Sequence, residues 1–415
     1  MNTQLEHDTR FGRQGFALPA AIFALLVVAL LVTSGFFLAN QESRIGQSSE
    51  RAGEAFRLAE TGMNEVLALW RPAQANLPLW EAYNGCAECQ GNQGDGEWLV
   101  TVTRVDDQLY LVESTGTITQ GGFLAGATRT LSRMARGGTI DVVQPNAAVT
   151  TQDQFLVSGS ATLDGNDTNG GGSGWFMSAG GVCPPASGGR PAVLMNEGAN
   201  FDQQGGGSDI LAPPGVDPVT FDDEITQESM SVFDAETWNG LTSMATISIN
   251  ASGPHSIQPA VNSDGACDLT NNLNWGSPKE LTGGRRAASL ACQNYFPIIH
   301  ITVPGSGNRF QINANSTGQG ILLVDGDLHL NGDFDWAGPI YVRGEFTNNG
   351  GTGVYGGVIS MGAEISSDTD QYVSGNAEVT YSSCAVSRAI AGASGNLPLR
   401  PLANRGWADL SASAF

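Results

Sequence analysis

Three groups of residues have types and spacings that could do chemistry. The first is cysteine. Cys86-Ala-Glu-Cys89 forms a C-x-x-C, and Cys183, Cys267, Cys292 and Cys384 complete a set of six. A redox C-x-x-C opens a helix beside a βαβ unit, and no such pattern surrounds this one. A zinc site needs a second pair at ligand spacing, which the chain lacks. Structural disulfides in an oxidising compartment are the favoured reading. Spacing leaves the pairing open; the expected set is Cys86–Cys89, Cys267–Cys292 and Cys183–Cys384.

Carboxylates are the second group. Asp325 with Asp327, and Asp333 with Asp335, are close pairs of the kind that does glycosidic acid–base chemistry. On so acidic a chain such pairs arise readily by chance. Asp164-Gly-Asn-Asp167-Thr-Asn169 gathers oxygen ligands but lacks the bidentate Glu of a calcium loop, so an Asx-rich turn is favoured. The third group would bind phosphate or metal. Gly351-Thr-Gly353-Val-Tyr-Gly356 matches G-x-G-x-x-G, yet it lies inside a glycine repeat and not between a strand and a helix. After residue 15 the only histidines are His255, His300 and His329, without metal-ligand spacing. No P-loop and no nucleophile elbow is present. The expectation is a non-enzymatic chain without cofactor or metal.

The glycine repeat is the element that would position the carboxylates. Gly320, Gly326, Gly332, Gly338, Gly344, Gly350, Gly356 and Gly362 recur every six residues. Two residues after each comes an apolar group in most cases (Leu322, Leu328, Phe334, Ile340, Phe346, Val358), and again four residues after (Val324, Leu330, Trp336, Val342, Val354). Odd positions carry Asp325, His329, Asp333 and Arg343. Short strands that alternate inward apolar and outward polar, with a glycine at each turn, predict a parallel β-solenoid of about eighteen residues per coil. An antiparallel meander with glycine turns is the alternative. On the solenoid reading His329 points outward into solvent. The repeat is short for a stable stack, so Val149–Gly165 and Tyr372–Val386 are expected to extend it.

The N-terminal element is of another kind. Phe16 to Ala39 is 24 residues without a charge. As a helix it spans about 36 Å, enough to cross a bilayer. Arg10 and Arg13 precede it and favour a cytoplasmic N-terminus. Apolar residues then recur at helical spacing through Ile45, Ala52, Phe56, Ala59, Met63, Val66 and Trp70, and Pro72 marks the end. One helix of about 80 Å is expected over 16–70. The anchor residues are Phe16, Leu18, Pro19, Ala20, Phe23, Leu26, Leu30 and Phe36.

Arg13-Gln14-Gly15-Phe16, the Gly15–Pro19 opening (GFALP) and Ala55–Met63 (AFRLAETGM) resemble the leader and stem of type IV prepilins. The likeness is closest to the PilX-type minor pilins and pilus assembly proteins and covers about the first 70 residues. It implies cleavage after Gly15 by a membrane-embedded aspartyl peptidase and N-methylation of Phe16. Major pilins place Glu at the fifth mature residue to pair with a neighbour's terminal amine; here that position is Ala20. The departure fits an initiating, tip or low-copy subunit, since an unpaired buried charge is costly.

Composition agrees with an exported β-rich head. Acidic residues outnumber basic ones 41 to 19, the net charge is -22, and Lys279 is the only lysine. Such a surface repels phosphate, which excludes a nucleic-acid partner. Fifty-five glycines argue against a mostly helical body.

The expected fold class is α+β. It comprises a leader (1–15), a transmembrane and stem helix (16–70), a small antiparallel sheet (71–136) and a first solenoid part (137–169). An irregular insertion (170–297), the main solenoid (298–390) and an extended tail (391–415) follow. The expected role is a structural minor or tip pilin-like subunit supporting type IV pilus assembly and surface adhesion. It would sit in the inner membrane with its head periplasmic, or in the extracellular pilus. Its partners would be other pilins and minor pilins, prepilin peptidase, the inner membrane, and a tip adhesin or surface glycan. The rival readings are a membrane-tethered solenoid polysaccharide lyase or hydrolase, and an uncleaved inner-membrane scaffold.

Overall fold

The computed structural model describes residues 17–72, 77–106, 108–120, 126–140, 142–167, 188–226, 230, 235–278, 289–361, 371–403 and 407–413. Helix α1 (Ala17–Leu69) is continuous. Pro19 sits in its first turn, where a missing N–H costs no intrahelical bond. The helix closes with Trp70 N–H on the Val66 carbonyl, and Pro72 follows.

The last four turns of α1 lie on a seven-stranded antiparallel sheet. Its strands are β1 (Ala82–Tyr83), β2 (Gln90–Gln93), β3 (Gly96–Asp106), β4 (Leu109–Ile118) and β5 (Thr128–Arg136), with two more from the C-terminus. Strict alternation in β4 turns Tyr110, Val112, Ser114 and Ile118 to the helix. They meet Ala55, Leu58, Ala59, Met63, Val66 and Trp70. The docking stripe thus starts at Ala55; Ile45, expected within it, is 66% exposed. Gly116 marks the closest approach, because a Cβ there would lie 2.1 Å from the Ala55 carbonyl oxygen.

The second sheet has seventeen strands, all paired in parallel. They are β6 (Val149–Thr151), β7 (Phe155–Ser158), β8 (Thr162–Asp164), β9 (Val193–Met195), β10 (Phe201–Gln204), β11 (Asp209–Leu211), β12 (Val219–Phe221), β13 (Ile247–Asn250), β14 (Gly253–His255), β15 (Ile298–Thr302) and β16 (Arg309–Gln319). β17 (Ile321–Asp325), β18 (Asp327–Val342), β19 (Phe346–Asn348), β20 (Gly353–Ser360), β21 (Gln371–Val373) and β22 (Glu378–Tyr381) complete it. Within the glycine repeat, partners are offset by eighteen residues: Arg309 with Asp327, Leu322 with Ile340, Asp335 with Gly353. Inward side chains from the strands form one core, with Ile299, Phe310, Leu322, Leu330, Trp336, Val342 and Val358 fully buried.

Strand pairing runs in three columns. Column one is β13, β15, β17, the end of β18, the end of β20, β6, β9 and β12. Column two is β14, β16, the start of β18, β19, β21, β7 and β10. Column three is the end of β16, the middle of β18, the start of β20, β22, β8 and β11. Spatial order therefore departs from chain order. The early strands β6–β8 stack on the last strands β20–β22, and the chain then crosses from β12 to β13 at the far end of the ladder.

Several expectations change here. Residues 188–221 and 247–255, expected within an irregular insertion, supply β9–β14 to the parallel ladder. The stretch expected as solenoid to residue 390 gives way at Ser383 to helix α3 (Ser383–Gly395). The tail is not simply extended: β23 (Arg400–Pro401) and β24 (Trp407–Asp409) pair antiparallel with β5. The outward face of column one is not polar throughout, since Leu323, Tyr341 and Ile359 are buried under α3, Ile140, Val142 and helix α2 (Ala235–Ser243).

Of the repeat glycines, Gly320, Gly326, Gly332, Gly338, Gly350 and Gly356 have positive φ. Gly344 does not, and Gly362 lies outside the described residues. Gly338 (φ 134°) leaves no room for a methyl group: a Cβ would sit 2.0 Å from the Gly320 carbonyl oxygen. Two substitutions test these contacts. Gly116→Val is expected to lower stability by about 2 kcal/mol through overpacking against α1. Gly338→Ala is expected to cost at least as much, because strain adds to the clash. Chemical denaturation of the detergent-solubilised chain reads both; unchanged midpoints would refute the close approaches.

Candidate functional site

Two features stand out. The first is the N-terminal half of α1. From Leu18 to Leu38, thirteen large apolar side chains are exposed, Leu18 at 74% and Phe36 at 71%. Pro19, Ala20, Phe23, Leu26 and Leu30 share this exposure. Leaving such side chains in water costs about 1.5–3 kcal/mol each, so the half-helix needs an apolar surrounding worth on the order of 20 kcal/mol. Its few polar groups are compatible with one. The Thr33 hydroxyl donates to the Ala29 carbonyl (2.7 Å) and the Ser34 hydroxyl to the Leu30 carbonyl. Glu42 is the first carboxylate of the helix. By length and composition this helix can cross a membrane. Gly15 and Phe16, the expected processing pair, lie outside the described residues.

The second feature is a polar cluster on the outer side of column one. Asp325 Oδ2 accepts from the Trp238 indole (3.2 Å) and meets His300 Nε2 at 2.8 Å, while Arg343 Nη1 donates to Oδ1 at 3.1 Å. The Arg343 guanidinium also stacks 4.9 Å from the Trp238 ring centroid. Burial by itself would raise the Asp325 carboxyl, but the bonds from His300, Trp238 and Arg343 outweigh it and hold it below the usual range. Chemically the cluster clamps α2 to the ladder.

Asp325 is engaged by three donors, and Asp335, expected on the outer face, is buried. His329 is not simply solvated: it lies between Arg309 Nη1 (3.3 Å) and the Asn349 amide (3.1 Å). Burial and the Arg309 charge push its pKa down. Asp164 forms an Asx turn to Asn166 N–H (2.9 Å), and Asp167 accepts from the N–H and hydroxyl of Ser383 at the start of α3. Gly353 and Gly356 of the G-x-G-x-x-G lie within strand β20.

Cys86 is bonded to Cys89 and Cys267 to Cys292, with Cα separations of 5.0 and 4.9 Å. The first bridge packs under α1. The second staples the segment that covers the β13–β14 end of the ladder, where Trp275 stacks on Phe310. Cys384 is disulfide-bonded as well; Cys183 lies outside the described residues.

No protein-family model and no curated protein matches the chain. Among solved structures it is similar to a pilin. That protein is the competence-associated pilin ComZ from Thermus thermophilus, at 14% identity, with 87% of this chain and 96% of that chain covered and a TM-score of 0.23. Similarity at that level carries no argument; the geometry of the chain itself has to carry any functional reading.

Trp238 and His300 were not legible as partners from sequence, because α2 meets the ladder only through the crossover between β12 and β13. Asp325→Asn tests the clamp. A carboxyl held below its ordinary pKa of about 3.9 contributes stability above that value and loses it as pH falls through the lowered one. The variant is expected to be less stable at pH 7 and to show a flatter acid limb in pH-dependent melting. Identical melting curves for the two proteins from pH 7 to 2 would remove the clamp.

Proposed function

We propose that the chain is a membrane-anchored, pilin-like structural subunit of the minor or tip kind, PilX-like in type, that supports type IV pilus assembly and presents its head for surface attachment. One observation carries this reading. A single helix has an exposed apolar half and a second half docked on a small antiparallel sheet. The bare half is buried first by the bilayer and then by the helices of neighbouring pilins. The N-terminus is cytoplasmic and the head periplasmic until assembly. Prepilin peptidase cuts after Gly15, and Phe16 is methylated.

With Ala20 at the fifth mature position, the stem offers no membrane carboxylate to a neighbour's amine, which suits a low-copy position in the filament. The parallel ladder is a β-solenoid: its eighteen-residue register, three strand columns and glycine corners support that reading. The head is a display scaffold without catalytic chemistry.

Mass spectrometry of the protein from cells with active prepilin peptidase is expected to show methylated Phe16 at the N-terminus. An intact Met1 would overturn the processing step. Immunoblots of sheared filaments are expected to contain the chain at low abundance; retention only in the membrane fraction would favour a scaffold.

A further inference from the structure

The three columns of the ladder differ in what covers their outer sides. Column one lies under α2, α3, Ile140 and Val142. Column three is covered in part by α3, with Ala337 and Tyr355 against Cys384 and Ala385. It is further covered by the chain at Gln293 and Tyr295, whose carbonyls accept from Gln319 Nε2. Across β16, β18 and β19, column two instead turns hydrogen-bonding side chains outward. In register they are Gln311 beside His329, and Asn313 beside Asn331; Thr347, next to His329, is buried.

These side chains are held in place. Gln311 Nε2 donates to Asn313 Oδ1 at 2.8 Å, Asn331 Oδ1 accepts the Gly332 N–H at 2.9 Å, and Asn349 meets His329 and the Ser374 hydroxyl. Each primary amide has two donor and two acceptor places, so capacity remains after these bonds. Asn313 and Asn315 are exposed. Together with Ser256, Gln258 and Asn331 they line a cleft of about 500 Å³ at the β14 end.

The chemistry of this face narrows its ligand. Across β16, β18 and β19 its described outward side chains include no apolar or aromatic centre of the kind that anchors protein interfaces. Asp327, Glu345 and Asp333 border it, and Arg309 is its only cation over these strands, so a polyanion is repelled. Amides and hydroxyls that donate and accept together match vicinal hydroxyl groups. Strand spacing sets the paired amides of Asn313 and Asn331 ~4.8 Å apart within a row of polar groups, which suits an extended polymer better than a single small molecule. Strands pinned on both sides keep the groups preorganised.

We propose that column two, centred on Asn313 and Asn331, is a binding face for an uncharged polysaccharide. This rests on the reading above that the head is displayed outside the membrane, and it supplies the substrate class for attachment. No bond is made or broken.

Affinity electrophoresis of the detergent-solubilised full chain tests it, with hydroxyethylcellulose and glucomannan as neutral probes and polygalacturonate as the anionic one. Retardation by at least one neutral polymer and not by polygalacturonate is expected. Asn313→Ala with Asn331→Ala should weaken it at least fivefold, and the near-isosteric Asn313→Asp should weaken it if the double variant fails to fold. Ser248→Ala, exposed on column one, should leave it unchanged. No retardation by either neutral polymer, equal retardation of the column-two variants, or preference for polygalacturonate would overturn the proposal. The mass of the N-terminus is measured separately, so failure here leaves the pilin-like reading standing, and the reverse holds.

Discussion

The head depends on one seam: β6 pairing in parallel with the end of β20, Val149 opposite Val358. Through that seam and its companions, β7 on β21 and β8 on β22, strands from two distant parts of the chain share one core. Parallel ladders bury both ends of every backbone group only if each strand finds a partner on both sides. The repeat over residues 320–361 is too short to stack alone, and the early strands extend it. The seam also decides where the chain enters and leaves. Entry at residue 148 and exit at Ser383 fall in the middle of the ladder. Helix α3 can therefore cover columns one and three and return the chain to β5 of the first sheet.

The rest of the molecule answers to two solvents. The C-terminal turns of α1 carry small residues, Ala55 and Ala59, where Gly116 of β4 comes close, and larger ones, Met63 and Val66, further along the same core. Its N-terminal half has no protein partner among the described residues and no charge before Glu42. The strongly acidic, lysine-poor composition belongs to the part that meets water, where net charge keeps a large β surface soluble.

Side-chain burial in the head follows geometry more than residue type. Inward positions of the repeat are mostly apolar, with Asn348, Thr352 and Ser360 as buried polar exceptions. Outward positions split by column. Tyr341 is outward yet fully buried, its hydroxyl donating to the Val143 carbonyl at 2.6 Å. Asn313 is outward and open. The same alternation produces both, and only the covering elements distinguish them. His300, Asp325 and Arg343 mark the boundary, where α2 is held by charge and hydrogen bonds on a partly exposed edge.

Sequence alone determined the features that local chemistry dictates. A charge-free run becomes a helix because its backbone groups pair internally. The glycine period sets corners where positive φ is needed. The C-x-x-C spacing brings Cys86 to Cys89. The tertiary structure decided what depends on long-range pairing. It recruited residues 188–221 and 247–255 into the ladder and reversed their order in space. It also ended the expected solenoid stretch in helix α3, turned the tail into two strands on β5, and chose which outward face stayed open. Those outcomes carry no short-range signal, because a three-residue strand such as Val193–Met195 is fixed by the register of its neighbours and not by its own composition.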